Sequence, residues 1–526
     1  MGYTRRHAAH RQVIVIGSGF GGAMAAWKLV DSGADVLMLE RGPFVERGPH
    51  NWEPEGTVMR TPYYTEGPHY EANTDLGNSE AGVCSCVGGA SVFYGGVSLR
   101  FRETDFLPRP EIVGDSGARW PFSYDTLEPY YGEAERILDV AGQAGEDPTE
   151  PPRTSDYPCL PSGLSEVSRI IAKAAEARGL HPFRLPLAIN YQNSGSAPTC
   201  IECATCDTFA CKIEAKNDIA VKVLRGLVER GLELRANIAV TGLHLDGRRV
   251  TSVECVDRTT GETEVLTADR IILAAGALGS AHLLLASRLA ESNPAGDAVG
   301  RYLTRHCSAI VFGAYPWLPK HERHFHKQIG INDYYLGDPD GKGPKGPLGN
   351  IQQTQTPSMG TVRGELNWFL GSLVAPLARR ITGLLVIAED RPQHQNRVVL
   401  DPSGTDELGL PRLRIEHRYD PRDLEARRFL AGRAKRIHRA AGSLVGYTHV
   451  IDTFSHALGT VRMGDDPERA PVDRDGRFRG VDNLYVTDGS ILPTPAAVNP
   501  SLTISANALR IGHMIAEDLR REGITR

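Results

Sequence analysis

The front of the chain alternates apolar blocks with glycines. Val13-Ile14-Val15-Ile16 is a short β-branched run, and Gly17-Ser18-Gly19-Phe20-Gly21-Gly22 follows it directly. Helical periodicity then runs from Ala23 to Ser32, Gly33 caps it, and Val36–Leu39 leads to Glu40. Short apolar runs bounded by glycine read as strands and the longer periodic stretch as a helix, so this segment predicts strand–helix–strand. The same grammar returns twice. Arg270–Gly276 is a strand running through Ala274-Ala275-Gly276-Ala277-Leu278-Gly279-Ser280 into a helix, and Asn483–Gly489 is a strand that closes on Asp488. Between them, the middle of the chain alternates apolar and polar positions, which predicts an antiparallel sheet with helices on one side. Gly337–Gly349 reads as an exposed loop, and Leu370–Leu385, with Arg379 and Arg380, as containing an amphipathic packing helix.

The first of these units carries chemistry. Gly17, Gly19 and Gly22 have the G-x-G-x-x-G spacing: the first permits a tight turn, the second lets backbone approach a pyrophosphate, and the third lets helix and strand pack closely. The helix N-terminus beginning near Phe20 offers N–H groups and partial positive charge to phosphates. Glu40, followed by Arg41, stands at the end of the second strand, where an acid accepts hydrogen bonds from ribose hydroxyls. A dinucleotide is the expected ligand. The acid favours an unphosphorylated ribose but does not separate FAD from NAD.

Composition narrows the partners. The 526 residues are 41% hydrophobic and 23% charged, with a net charge of −5, so nothing draws the chain to nucleic acid or to anionic lipid in general. The longest apolar runs, such as Ile271–Ala277 and Ile381–Ala388, fall far short of the roughly 20 residues of a membrane span and read as buried strands. Arg5-Arg6 lacks the apolar stretch of an export signal and reads as a basic tail on a cytoplasmic protein.

Longer motifs add a resemblance. Cys86–Gly96 is a small-residue loop, Trp120–Asp125 leads to Leu127-Glu128-Pro129-Tyr130-Tyr131, and Glu389-Asp390 precedes Asn396-Arg397-Val398. Near the end stand His456–Gly464, Asp488-Gly489-Ser490, and Asn499-Pro500 leading to Thr503. In this order the chain resembles the glucose–methanol–choline oxidoreductases over most of its length. The resemblance implies an α/β fold: a Rossmann-like FAD-binding domain of the glutathione-reductase type, with an α+β substrate domain built on an antiparallel sheet. We expect 1–105, 215–315 and 455–526 to form the first and 106–214 and 316–454 the second. It further implies that the dinucleotide is FAD, with Gly88, Gly89, Ser91, Tyr94 and Gly95 beside pyrophosphate and flavin and Val240 offering backbone to adenine. Ala275, Gly276, Asp488 and Gly489 would stand at the ribityl or pyrophosphate region. Asn499, Pro500 and Thr503 would lie near the flavin's N1–O2 edge. Tyr94 replaces an Asn that many members carry, and no His lies between Val83 and Arg100, which implies noncovalent FAD.

Oxidising a CH–OH group needs a base for the hydroxyl proton as hydride leaves the carbon. The resemblance assigns that base to His456 and its substrate-binding partner to Asn499, in a His–Asn version of the family pair. Other histidines, such as His306 and His394, are expected to be satisfied core or surface residues, with His306 packing near the flavin domain. The substrate is expected to be a sugar, an aminosugar or another alcohol, with Tyr94, Tyr191 and Trp368 as candidate stacking surfaces. A dehydrogenase serving an acceptor protein or a quinone is favoured over an oxidase. The alternatives are a sterol or long-chain alcohol oxidase and a flavin-containing hydroxynitrile lyase.

Nine cysteines are unevenly spread. Cys200, Cys203, Cys206 and Cys211 have the spacing C-x2-C-x2-C-x4-C. Close thiols on one loop suit a structural thiol loop or disulfides, an iron–sulphur cluster, or a single zinc.

Overall fold

The computed structural model describes residues 6–7, 10–192, 197–203, 205–316, 327–355, 378 and 380–525. The four strand runs of the opening pattern meet in one parallel sheet. Its strands lie in the order Leu484–Val486, Ala268–Leu273, Arg11–Ile16, Val36–Leu39 and Glu233–Arg235. Val13, Ile14 and Val15 are fully buried, as are Ile271, Ile272 and Leu273. Such strands are covered on both faces, so they are continuous apolar runs rather than alternating ones. The helix Phe20–Asp31 follows the first strand, and the C-terminal helix Ser501–Arg521 packs against it. A Cβ on Gly512 would sit 2.6 Å from the Ala25 carbonyl, so glycine sets how closely the two helices approach.

The second large sheet has six antiparallel strands, in the order Val445–Val450, Cys307–Ala314, Ile381–Ala388, Gly349–Thr354, Ile329–Ile331 and Pro182–Arg184. The helices Glu166–Glu176 and Pro421–Ala440 cover one face, where Ala309, Val311, Ile351, Leu384 and Val386 meet Val167, Ile171, Ala426 and Leu430. Asp420 starts the longer helix: its side chain accepts from the Arg422 N–H, and Pro421 supplies a preset φ. The expected antiparallel sheet with helices on one side is therefore present. The opposite face carries Asn350 and Gln352, both fully buried.

One expectation changes. Cys307–Ala314 falls inside the 215–315 stretch assigned to the dinucleotide half, yet it is an inner strand of the antiparallel sheet. Ile381–Ala388 is the buried strand its apolar run predicts, and takes in the end of the Leu370–Leu385 stretch. Residues 370–377 of that stretch, Arg379, Arg5 and Trp368 lie outside the described residues.

Candidate active site

The loop after the first strand is shaped by its own backbone. Gly17 has φ +99°, and a Cβ on Gly22 would stand 2.0 Å from the Gly17 carbonyl oxygen, so the turn admits no side chain there. Gly19 is different: a Cβ on it would meet nothing within 4 Å. The strand-to-helix turn thus closes on itself at two glycines and opens at the third.

Several distant segments converge on that opening. The Gly88 N–H donates to Ser18 Oγ at 2.9 Å, and Ser18 Oγ donates to Glu40 at 2.6 Å. Glu40 also accepts from the Ser18 and Gly42 N–H groups; burial raises its pKa while these hydrogen bonds lower it. Gly89 approaches Gly19, and Ser91 Oγ donates to the Gly88 carbonyl while accepting from the Ile219 N–H. Asp488 accepts from the Gly276 N–H at 2.9 Å and from Ser280 Oγ, and Gly21 abuts the Thr487–Asp488 backbone. The Ile238 N–H donates to the Glu40 carbonyl, so the strand carrying Val240 starts beside the acid. Sequence reasoning missed Ser18 and Ser280. Ser18 occupies a variable position of the glycine motif, and Ser280 is a helix serine whose partner is distant in sequence.

These groups fit a dinucleotide. No side chain caps the N-terminus of the Phe20–Asp31 helix and its first turn holds no acid, so its amide end is available to phosphate. Arg41 Nε is buried with no partner among the described residues. Gly276, at φ +79°, likewise has open space where a Cβ would be. Tyr94 is held at the edge: its hydroxyl donates to the Asn217 carbonyl at 2.9 Å and its ring meets Phe20 edge-on. A phenol anchored this way has its donor already used. Gly95 lies against Lys327 Nζ and Asp207, which form an ion pair at 2.6 Å.

His456 and Asn499 are both half-buried. His456 Nδ1 is 2.9 Å from His306 Nδ1, with the two rings perpendicular. His306 Nε2 is 2.8 Å from the Ala496 carbonyl and 3.2 Å from that of Pro495, a turn that ends at Asn499. His306 therefore ties the segment carrying His456 to the segment carrying Asn499. It was expected to be structural, packing near the flavin domain; beyond its contact with Pro495 and Ala496 it joins these two segments, and nothing in its local sequence marks that position. His394, expected to be a satisfied core or surface residue, is exposed and bonded to Asp297. Gln352 Nε2 donates to Asn499 Oδ1 at 2.7 Å from the polar face of the antiparallel sheet. Pro500 leads into the last helix, where Thr503 Oγ1 pairs with the Tyr131 hydroxyl at 2.7 Å. Gly489 lies against Leu458, just after His456. Burial, then His306 and Lys327, hold the His456 imidazole pKa well below its ordinary value, and burial does the same for His306.

All nine cysteines are free thiols, so the disulfide reading of the cluster is not met. Cys200, Cys203, Cys206 and Cys211 line one small cavity together with Lys216, whose Nζ donates to the carbonyls of Tyr94, Cys206 and Phe209. Among the described residues no three His, Cys, Asp or Glu side chains gather as metal ligands. Burial pushes the Cys200 thiol up to about 12 and that of Cys206 higher still, so both are protonated in the metal-free protein. Tyr191 adjoins this cluster with its hydroxyl buried.

The chain belongs to the GMC oxidoreductase family: two models of GMC oxidoreductases match residues 12–308 and 392–508. It is 35% identical to the 6'''-hydroxyparomomycin C oxidase of Streptomyces lividus, over 96% of this chain and 91% of that protein. It is also 35% identical to the paromamine 6'-oxidase of Streptomyces fradiae, with the same coverage. The crystal structure of pyridoxine 4-oxidase from Mesorbium loti superposes with a TM-score of 0.66 at 19% identity, covering 97% of this chain and 99% of that one, which shows the shared fold. The chain is an oxidoreductase of CH–OH donors with a Rossmann-like FAD-binding domain. No helix among the described residues is long and apolar enough to cross a membrane.

Proposed function

We propose that this chain oxidises a hydroxyl of a sugar or aminosugar to the carbonyl, with His456 as base and Asn499 holding the substrate oxygen. One observation carries the assignment: His306 is bonded both to His456 and to the Pro495 and Ala496 carbonyls shortly before Asn499, which ties the segments of the two residues together. His456 takes the hydroxyl proton, and the Asn499 amide steadies the oxygen as its carbon loses hydride. Noncovalent FAD, held by the Gly17–Gly22 turn, Glu40, Arg41, Gly88–Ser91 and Asp488, supplies the hydride acceptor. The aminosugar class is supported by the two relatives named for paromamine and hydroxyparomomycin C. A sterol or long-chain alcohol would find less to bind, since buried Gln352 Oε1 and Asn350 Oδ1, on the sheet face that meets Asn499, lack partners among the described residues.

The test is anaerobic mixing of the flavin-loaded protein with sugars, aminosugars, sterols and aliphatic alcohols. Aminosugars should bleach the flavin, and His456→Asn should slow bleaching by about 10²–10⁴-fold. A protein that cleaves cyanohydrins without bleaching is a lyase, and the reading fails. Peroxide yield in air then divides an oxidase from a dehydrogenase that passes electrons to a protein or quinone. An iron–sulphur cluster is the second cofactor reading, supported only by the convergence of four thiols on one cavity. Iron and acid-labile sulphide analysis of purified protein decides it.

A further inference from the structure

We propose that His306 is a positioning residue that sets the tautomer of His456, leaving a bare lone pair on His456 Nε2. The inference rests on the assignment of His456 as base. It follows from counting protons around two rings. His306 Nε2 faces only carbonyl oxygens, those of Ala496 at 2.8 Å and Pro495 at 3.2 Å, and carbonyls only accept. Nε2 of His306 therefore carries a proton. His306 is 2% exposed with no carboxylate in hydrogen-bond contact, so it is neutral and that proton is its only one. Its Nδ1 is then an acceptor. His456 Nδ1, 2.9 Å away, must be the donor, and a neutral His456 keeps no proton for Nε2.

The backbone supplies a second, independent observation. His306 has φ +65° and Ala496 has φ +52°, left-handed values that residues other than glycine seldom adopt. Such conformations persist where the surrounding structure enforces them. These two residues sit at the two ends of one hydrogen bond. The enforced backbone presents the Ala496 carbonyl to His306 Nε2, which keeps the proton there. Were His306 doubly protonated, or its ring turned over, its Nδ1–H or its Cδ2–H would face His456. The base would then hold its proton on Nε2 and could not take another.

Two variants separate positioning from packing. In His306→Gln, Oε1 can accept from His456 Nδ1 while Nε2 donates to the Ala496 carbonyl. His306→Phe fills the space and does neither. With flavin content and melting temperature confirming folded holoenzyme, His306→Phe should lower the anaerobic flavin-reduction rate by about 10²-fold with substrate KM within a few-fold, since a wrong tautomer disables a histidine base. His306→Gln should recover most of that rate. In the native holoenzyme, ¹⁵N spectra of histidine-labelled protein should show His456 Nε2 as an unprotonated nitrogen. Equal losses in both folded variants, an undiminished His306→Phe, or a protonated His456 Nε2 would each overturn the proposal. If His456→Asn abolishes reduction while His306→Phe does not, only the positioning role falls. If His456→Asn reduces flavin normally, the base assignment falls and the positioning role with it.

Discussion

At the scale of single residues, the glycines of the first turn differ in what each prevents. Gly22 has no room for a Cβ because the Gly17 carbonyl is 2.0 Å from that position, whereas Gly19 has open space. A substitution at Gly19 should therefore leave the fold and remove the ligand. Gly19 has φ −71°, which any residue adopts, so Gly19→Val carries no conformational strain. We expect Gly19→Val to express as folded protein, by circular dichroism and melting, while losing the yellow flavin absorbance. A variant that keeps full flavin occupancy would mean the dinucleotide lies elsewhere. The glycine spacing and Glu40 were legible in the sequence because short-range sterics demand those residues at those positions. His306, Gln352, Ser18 and Ser280 were not, since each takes its role from a partner far along the chain.

At the scale of elements, apolar runs predicted the parallel strands because full burial on both faces leaves no polar position in them. The antiparallel sheet was legible as a class but not strand by strand. Gly349–Thr354 reads Gly-Asn-Ile-Gln-Gln-Thr, a polar stretch, yet it is buried along its length. Its neighbour Ile381–Ala388, by contrast, was legible as a buried strand from its apolar run. The helix Pro421–Ala440 depends on its cap. Asp420 accepts from the Arg422 N–H and pairs with Arg391 at 3.1 Å. Asp420→Ala should cost about 1 kcal/mol, read as a lower urea midpoint with unchanged flavin content. Because this helix covers the sheet face opposite Gln352, turnover per bound flavin should not change.

At the scale of the whole molecule, buried neutral histidines link stability to pH. His438 is 1% exposed: its Nε2 donates to the Val311 carbonyl at 2.8 Å and its Nδ1 accepts from the Tyr315 hydroxyl. Burial lowers its pKa from 6.5 to about 4. Above pH 6.5 neither folded nor unfolded chain is protonated there, and the group has no effect. Between pH 6.5 and about 4 the unfolded chain takes up a proton that the fold refuses, so stability falls as pH falls, by about 1.4 kcal/mol per pH unit. Urea midpoints should drop between about pH 7 and about pH 5, and His438→Gln should flatten that dependence relative to its own value at neutral pH. A slope unchanged by the substitution would assign the effect to other groups.

Taken by itself, the amino-acid sequence determined the dinucleotide turn, the acid that follows it, the apolar strands and the positions of His456 and Asn499. Each is specified by local sterics, burial or an extended motif. Tertiary structure alone decided that His306 joins the two site segments, that Gln352 meets Asn499, and that Lys216 lies on the cavity lined by the cysteine cluster. Hydrogen bonds between residues some 150 positions apart leave no local pattern, because any polar side chain reads as solvated until the fold removes the solvent.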